Sequence, residues 1–482
     1  MSEAPGGRIF RPSQTKIVAT VGPACESESM LADLIKAGVD VFRLNTAHGD
    51  QSQHQARLEA IRRTSRRLNQ PVAVLVDLAG PKIRLGELPG GQRQLAAGQK
   101  VRLVRANPQG PDDLVTTYEP LVSELAPGDR VMLADGTVSL IVESTGPGFA
   151  ACRVVQPGLV RSRQGVNLPG VKLSAPALGP ADRHFALWAV QNEVDFLGLS
   201  FVRSPAEVLE LKALLAPWGG PTQVIAKIEK PEALECLEAI LDAADGIMVA
   251  RGDLGVEIDI AQVAIVQKRI VALCARRHKP VIIATQMLDS MQHETLPTRA
   301  EVADVANAIL DGADACMLSG ETAIGQYPRQ AVEMMHRIAL ATESGYPATI
   351  AAEKPDSLTA PVHEITEATA HAAAQLAAQV HAKLIVVATA SGRTALVLSK
   401  NRPPGPTVGV TDSESTLRRM CLYWGVIPMP GAPTTDHAAL VRHITQWGKA
   451  AGMLRPGDRL VVLAGTGLAM TAHNMLVVHQ VD

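Results

Sequence analysis

The 482-residue chain is 46% hydrophobic and 20% charged, with a formal net charge of −2. That is the make-up of an ordinary globular protein with room for about two to four cores. It excludes the one-signed field that binds nucleic acid or a membrane surface. No apolar run approaches the ~18 residues of a membrane span, and residues 1–14 lack the apolar stretch of a secretory signal. Six cysteines (Cys25, Cys152, Cys236, Cys274, Cys316, Cys421) show no C-x-x-C spacing, and Cys236, Cys274 and Cys316 lie in apolar stretches that read as buried thiols. A cytoplasmic enzyme is expected.

In chain order, short β-rich runs alternate with longer helical patterns. The runs fall at 16–21, 39–44, 72–77, 196–200, 224–228, 246–250, 281–284 and 316–318. Amphipathic stretches lie between them at 27–37, 54–68, 206–215, 231–241, 262–277 and 298–310. The last opens on Thr298 and Glu301, a capping box after Pro297. Eight strand–helix units predict an α/β fold, a (β/α)8 TIM barrel made of residues 1–80 and 176–345.

The alternation breaks once, between the third and fourth runs, where more than a hundred residues intervene. Residues 81–175 carry short apolar runs at 100–104, 130–133, 137–142 and 150–155. Turn signals such as Pro127-Gly128-Asp129, Asp135-Gly136 and Pro157-Gly158 separate them. The pattern predicts an inserted all-β domain, a small β-barrel, at the C-terminal end of strand three. There it would sit over the barrel mouth as a lid. After residue 345 the pattern restarts with an alanine-rich helix over 364–380 and β runs at 383–389, 407–411, 426–429, 459–464 and 475–481. This predicts an open-sheet α/β domain over 346–482.

In such a barrel the chemistry sits at the C-terminal ends of the strands. Those positions hold Arg43 and Asn45, Asp77, Ser200, Lys227 and Glu229, Arg251 and Asp253, Thr285, and Ser319 with Glu321. The centre is a pair of runs ending Ala226-Lys227-Ile228-Glu229 and Ala250-Arg251-Gly252-Asp253. Lys227 and Glu229, two apart in a strand, project to one face. One lysine with two carboxylates can hold a hard divalent cation beside a phosphate. Gly252 and Gly255 let main-chain amides face an anion at a helix start. Thr285 and Ser319 offer hydroxyls that relay a proton, anchor a carboxylate or cap a helix. His48, followed by Gly49, is either catalytic or part of a turn. The segment Thr389-Ala390-Ser391-Gly392-Arg393-Thr394 makes an anion site or a plain helix cap. At this level a metal-dependent barrel enzyme acting on a pyruvate-like enolate, such as an aldolase, stays open. So does a non-catalytic binder of phosphometabolites.

Together these segments resemble the pyruvate kinase family. The motifs that carry the resemblance are Thr15-Lys16-Ile17-Val18-Ala19-Thr20-Val21-Gly22-Pro23, Arg43-Leu44-Asn45, Gly80-Pro81-Lys82-Ile83-Arg84, Ala226-Lys227-Ile228-Glu229, Ala284-Thr285-Gln286-Met287-Leu288 and Leu318-Ser319-Gly320-Glu321-Thr322. The resemblance covers residues 12–345 strongly and the remainder in order and pattern. It implies a barrel, an inserted β lid and a C-terminal effector and assembly domain. It also implies transfer of the phosphoryl group of phosphoenolpyruvate to ADP, giving pyruvate and ATP, the last step of glycolysis.

Carried over residue by residue, the resemblance implies Mg2+ or Mn2+ on Glu229 and Asp253, with Lys227 neutralising the phosphoryl group in flight. Arg43 and Arg84 would clamp phosphates. Gly252, Asp253 and Thr285 would cradle the substrate carboxylate, with Ser200 behind them. Thr285 and Ser319 would support protonation of the enolate, and Asn45, Arg84 and Arg163 would meet the nucleotide. Thr389, Ser391, Gly392, Arg393 and Thr394 would bind a phosphorylated allosteric effector, in a homotetramer. Two departures stand out. Of the family's potassium site Asn45 and Asp77 remain, but Ala47, Leu78 and Lys82 stand where many members carry Ser, Thr and Glu. Activity without K+ is therefore expected, with Lys82 supplying positive charge near Asp77. Gln164, flanked by Arg161 and Arg163, stands where the family usually has a nucleotide-binding lysine.

Overall fold

Eight parallel strands close into a barrel: Lys16–Thr20 (β1), Val41–Asn45 (β2), Ala73–Asp77 (β3), Phe196–Leu199 (β4), Gln223–Ile228 (β5), Gly246–Ala250 (β6), Val281–Ala284 (β7) and Ala315–Leu318 (β8). The structure is a computed structural model and describes residues 13–105, 110, 112–134, 136–345, 364–434, 436–464 and 475–482. The N-terminal segment to residue 12, Asp135 of one turn signal, and the stretch 346–363 expected to open the C-terminal unit lie outside them. Each strand sits where its apolar run predicts. Their side chains alternate: Ile17 and Ala19 pack outward against the helices, whereas Val18, Val41, Leu75, Phe196, Ile225, Met248, Ile282 and Met317 fill the barrel interior. The helices start as their caps dictate. Thr298 and Glu301 form both bonds of the expected capping box.

The barrel floor carries a fourfold repeat. An aspartate immediately precedes each even-numbered strand: Asp40, Asp195, Asp245 and Asp314. Each carboxylate accepts a backbone N–H near the start of the preceding odd-numbered strand, from Ile17, Val74, Val224 and Val281 at 2.7–2.9 Å. These bonds satisfy donors at the strand ends, where ladder partners run out. Two of the four, on opposite sides of the barrel, also receive cations from the C-terminal unit. Arg418 bonds Asp195 at 2.7 Å, and Lys400 and Arg402 converge on Asp314.

Residues 83–171 contribute one separate core, from Ile83 to Val171. The hydrogen-bonded ladder there closes into the expected small barrel, because residues 83–86 bond to both edges of its main sheet: the Val166 N–H donates to Ile83 O at 2.9 Å and the Gly86 N–H to Val115 O at 2.7 Å. It forms a six-stranded sheet and a separate pair, Gln92–Leu95 with Gly158–Arg161. Pro157, with no N–H, ends the long strand Phe149–Gln156, and Gly158 opens the separate pair where a Cβ would stand 2.6 Å from Val138 Cγ2. The C-terminal unit is a five-stranded open sheet in which Val426–Met429, Thr407–Val410, Leu384–Ala388 and Arg459–Ala464 are parallel and Met475–Gln480 is the antiparallel edge.

Candidate active site

The interior rows of the barrel continue upward into polar residues. Arg43 stands two beyond Val41, Asp77 two beyond Leu75, Lys227 two beyond Ile225 and Ser319 two beyond Met317, so the alternation that fills the core also aims these side chains into the mouth. Asp77 is the hub. Its Oδ2 accepts Arg43 Nε at 2.8 Å and lies 2.6 Å from Arg43 Nη2. Its Oδ1 lies 3.1 Å from Lys227 Nζ, an ion pair rather than a well-directed hydrogen bond. Lys227 also donates to Ser200 Oγ at 2.6 Å and pairs with Glu229 Oε1 at 3.0 Å.

Burial alone would raise the Asp77 carboxyl, but the charges of Lys227 and Arg43 outweigh it and hold it below the ordinary carboxylate range. For Lys227, burial favours the neutral amine, yet Asp77 and Glu229 together push its pKa above the ordinary lysine value and keep it charged. Glu229 goes the other way. Burial raises it, Lys227 opposes, and the negative charge of Asp253 raises it further. A buried lysine can reach Asp77 across the intervening strand because β4 carries Gly198 at that level. A Cβ there would stand 2.9 Å from Asp77 Oδ1.

Glu229 Oε2 accepts the N–H of Phe201 at 2.8 Å. Asp253 lines a small cavity with Lys82, Lys230 and Glu257. Among the described residues no cluster of three or more His, Cys, Asp or Glu side chains could hold a metal. The donor set here is two carboxylates, which suits a magnesium-like ion whose shell is completed by water and substrate oxygens. The acid pair of Glu229 and Asp253 is under-compensated by Lys227, and a divalent cation would relieve that.

Other expected residues hold partners within the protein. Arg43, expected to clamp phosphate, holds Asp77 and donates to Thr20 Oγ1 at 3.1 Å. The Gly252 amide, expected to face an anion, donates to Thr285 Oγ1 at 2.6 Å, and that hydroxyl donates to Ala284 O. Lys82 is exposed and among the described residues forms no ion pair with Asp77, whose carboxylate is already filled by two cations. Ser319 occupies a helix N-cap position without capping, and among the described residues its buried Oγ has no hydrogen-bond partner. Thr285 and Gln286 have left-handed backbones, φ 69° and 55°, a costly conformation that clusters at functional sites. Arg251 braces this turn, bonding Thr285 O at 3.1 Å while its guanidinium pairs with both oxygens of Asp304.

Arg84 Nη1 donates to the carbonyl of Arg163, whose own side chain pairs with Glu87 at 2.6 Å. Asn45 accepts the Ala47 amide in a local turn. The ring of His48 is held below its ordinary pKa by burial and by the charges of Arg84, Lys82 and Arg43. Such a field suits a polyphosphate. In the C-terminal unit, Thr389 Oγ1 accepts the Gly392 amide and Ser391 Oγ the Arg393 amide, ahead of the helix Arg393–Lys400.

The pyruvate kinase barrel-domain family matches residues 12–332, and the pyruvate kinase alpha/beta-domain family matches residues 367–479. The chain belongs to the pyruvate kinase family. It is 42% identical over 478 residues to a pyruvate kinase of Staphylococcus saprophyticus, covering 97% of this chain and 80% of the relative. It is 41% identical to one of Geobacillus stearothermophilus and 39% identical to one of Sporosarcina psychrophila, with the same coverage. As a pyruvate kinase family member it is a phosphotransferase on a TIM barrel.

Proposed function

We propose that this pyruvate kinase transfers the phosphoryl group of phosphoenolpyruvate to ADP. The bond from phosphorus to the enol oxygen breaks as one to the terminal ADP oxygen forms. The enolate then takes a proton at its methylene carbon to give pyruvate. The observation that carries this is Lys227, buried and charged between Asp77, Glu229 and Ser200 at the end of β5. A fixed ammonium in a water-poor site stabilises charge on a phosphoryl group between donor and acceptor. Glu229 and Asp253 would hold Mg2+ or Mn2+, and the bound ion supplies positive charge for the substrate's oxygens. Arg84, Lys82 and His48 face the nucleotide phosphates, with Asn45 and Arg163 beside them. The unpartnered Ser319 hydroxyl and Thr285 support proton delivery to the enolate.

The same reading extends to regulation and setting. Residues 81–175 act as a lid and residues 346–482 as an effector and assembly domain. The enzyme works without K+: Leu78 is fully buried and apolar, Ala47 offers no ligand, and Asp77 is already neutralised by two protein cations. Thr389, Ser391, Gly392, Arg393 and Thr394 take a phosphorylated activator. The chain assembles as a homotetramer. Among the described residues no helix is long and apolar enough to cross a membrane; the six cysteines remain unoxidised thiols, which supports a cytoplasmic setting. Phosphorus NMR of the protein with phosphoenolpyruvate, ADP and Mg2+ tests the reaction. The enol-phosphate signal should decay as the three ATP signals grow, and decay to inorganic phosphate alone would overturn it.

A further inference from the structure

The exit of β4, residues 200–203, touches the chemical centre and both connectors leading to the inserted sheet. Ser200 receives Lys227, and the Phe201 amide is bonded to Glu229. The Phe201 ring lies against Gly80 on the outgoing connector: a Cβ at Gly80 would stand 2.8 Å from its Cδ2. Gly80 has φ 65°, and its amide is held by Asp182 Oδ1 at 3.0 Å. Arg203 grips the return connector, donating from Nη1 to Leu173 O at 2.6 Å and from Nη2 to Ala175 O at 2.8 Å. Its guanidinium is fixed from behind by Glu207, whose second oxygen also takes the Arg203 and Ser204 amides. Phe201 itself is held at φ 56°, a left-handed conformation that a bulky side chain rarely adopts.

Four consecutive residues therefore connect the lid's two connectors to the groups that bind metal and phosphoryl. We propose that Phe201 and Arg203 are positioning residues that tie the orientation of the lid to the placement of Glu229 and Lys227. The proposal rests on residues 81–175 acting as a lid. When the return connector moves, Arg203 moves with the two carbonyls it holds. When the outgoing connector moves, Gly80 presses on or releases the Phe201 ring. Either displacement is passed through the Phe201 amide to the Glu229 carboxylate. Sub-ångström errors in such supporting bonds degrade a site. The lid thus does more than exclude water: its closed position completes the metal carboxylate's geometry.

The test compares wild type with Arg203→Met, Arg203→Lys and Phe201→Leu in three measurements. These are free Mn2+ by electron paramagnetic resonance, kcat and KM for phosphoenolpyruvate, and hydrogen exchange over residues 81–175 with and without Mn2+ and phosphoenolpyruvate. Removing a supporting bond should weaken Mn2+ binding by about 10-fold and lower kcat more than it raises KM, with Arg203→Lys recovering part of both. The lid protection that substrate induces in wild type should be lost in Arg203→Met, at unchanged Tm. Wild-type Mn2+ affinity and lid protection in Arg203→Met overturn the proposal, as does lost activity with Mn2+ affinity intact. If Arg203→Met does not fold, Phe201→Leu gives the same readings against the same criteria. No substrate-induced protection in wild type overturns the lid reading and this proposal together. Protection that persists unchanged in the variants overturns this proposal alone.

Discussion

Lys227 Nζ and Asp77 Oδ1 meet 3.1 Å apart across a strand that belongs to neither. The contact passes β4 at Gly198, whose register partners are Asp77 on one side and Ile225 on the other. A buried lysine and a buried aspartate would each be costly alone, and together with Arg43 and Glu229 they form a compensated network. The position of the lysine is thus set by three strands at once.

Gly198→Ala tests that geometry. Its Cβ would stand 2.9 Å from Asp77 Oδ1, so the carboxylate must move. Overpacking of this kind costs about 1–3 kcal/mol of stability, and a misplacement near 1 Å costs about 10²-fold in rate. Denaturant melts and steady-state kinetics should show a modest loss of stability with a large loss of kcat. Unchanged kcat would mean that Lys227 does not need Asp77.

Potassium gives a second expectation. With Arg43 and Lys227 on Asp77 and no hydroxyl at Ala47 or Leu78, the rate in a tetramethylammonium buffer should match the rate with K+ added. Strong activation by K+ would show that a monovalent cation is required after all.

Arg418 and Asp195 anchor the C-terminal unit to the barrel floor at 2.7 Å. Asp195 keeps the Val74 amide and a more distant Arg62, 3.7 Å away. Arg418→Met should still lower stability by about 3 kcal/mol, because it leaves a buried carboxylate under-compensated. Calorimetry of Arg418→Met, Asp195→Asn and the double variant should show strong non-additivity. Simple additivity would mean the two residues do not act as a pair.

His278 on the barrel faces Glu367 on the first C-terminal helix, 3.3 Å away. Burial lowers His278 from the ordinary 6.5, although the Glu367 bond opposes this. The unfolded chain then takes up the proton first, so stability is lost as pH falls below 6.5. The slope from this group is at most about 1.4 kcal/mol per pH unit. Melts at pH 7 and pH 5.5 should show a smaller drop for His278→Gln than for wild type. An equal drop would place the acid sensitivity elsewhere.

The strands, the inserted unit and the rim residues were legible because apolar runs that end in charge carry their own orientation in a parallel barrel. Lys227 and Glu229 could be paired from an i, i+2 spacing alone. The partners of Asp77 could not be read this way. Sequence suggested Lys82, but Arg43 and Lys227 reach it through a gap that only the closed barrel creates. Arg203 was missed because its acceptors are carbonyls, Leu173 and Ala175, which any residue supplies. The floor aspartates did carry a signal, since Asp40, Asp195, Asp245 and Asp314 each stand immediately before a strand. That periodicity appears only once the eight strands are counted in pairs.

The most direct measurement is ATP formation from phosphoenolpyruvate and ADP in a coupled assay, run on wild type and on Lys227→Met. Wild type should turn over at roughly 1–10³ s−1. Loss of the one fixed ammonium should lower kcat by about 10³-fold or more, with Mn2+ binding and Tm retained. A wild-type enzyme that makes no ATP, or a Lys227→Met variant that keeps near-normal turnover, would contradict the assignment of Lys227 as the group that carries the phosphoryl charge.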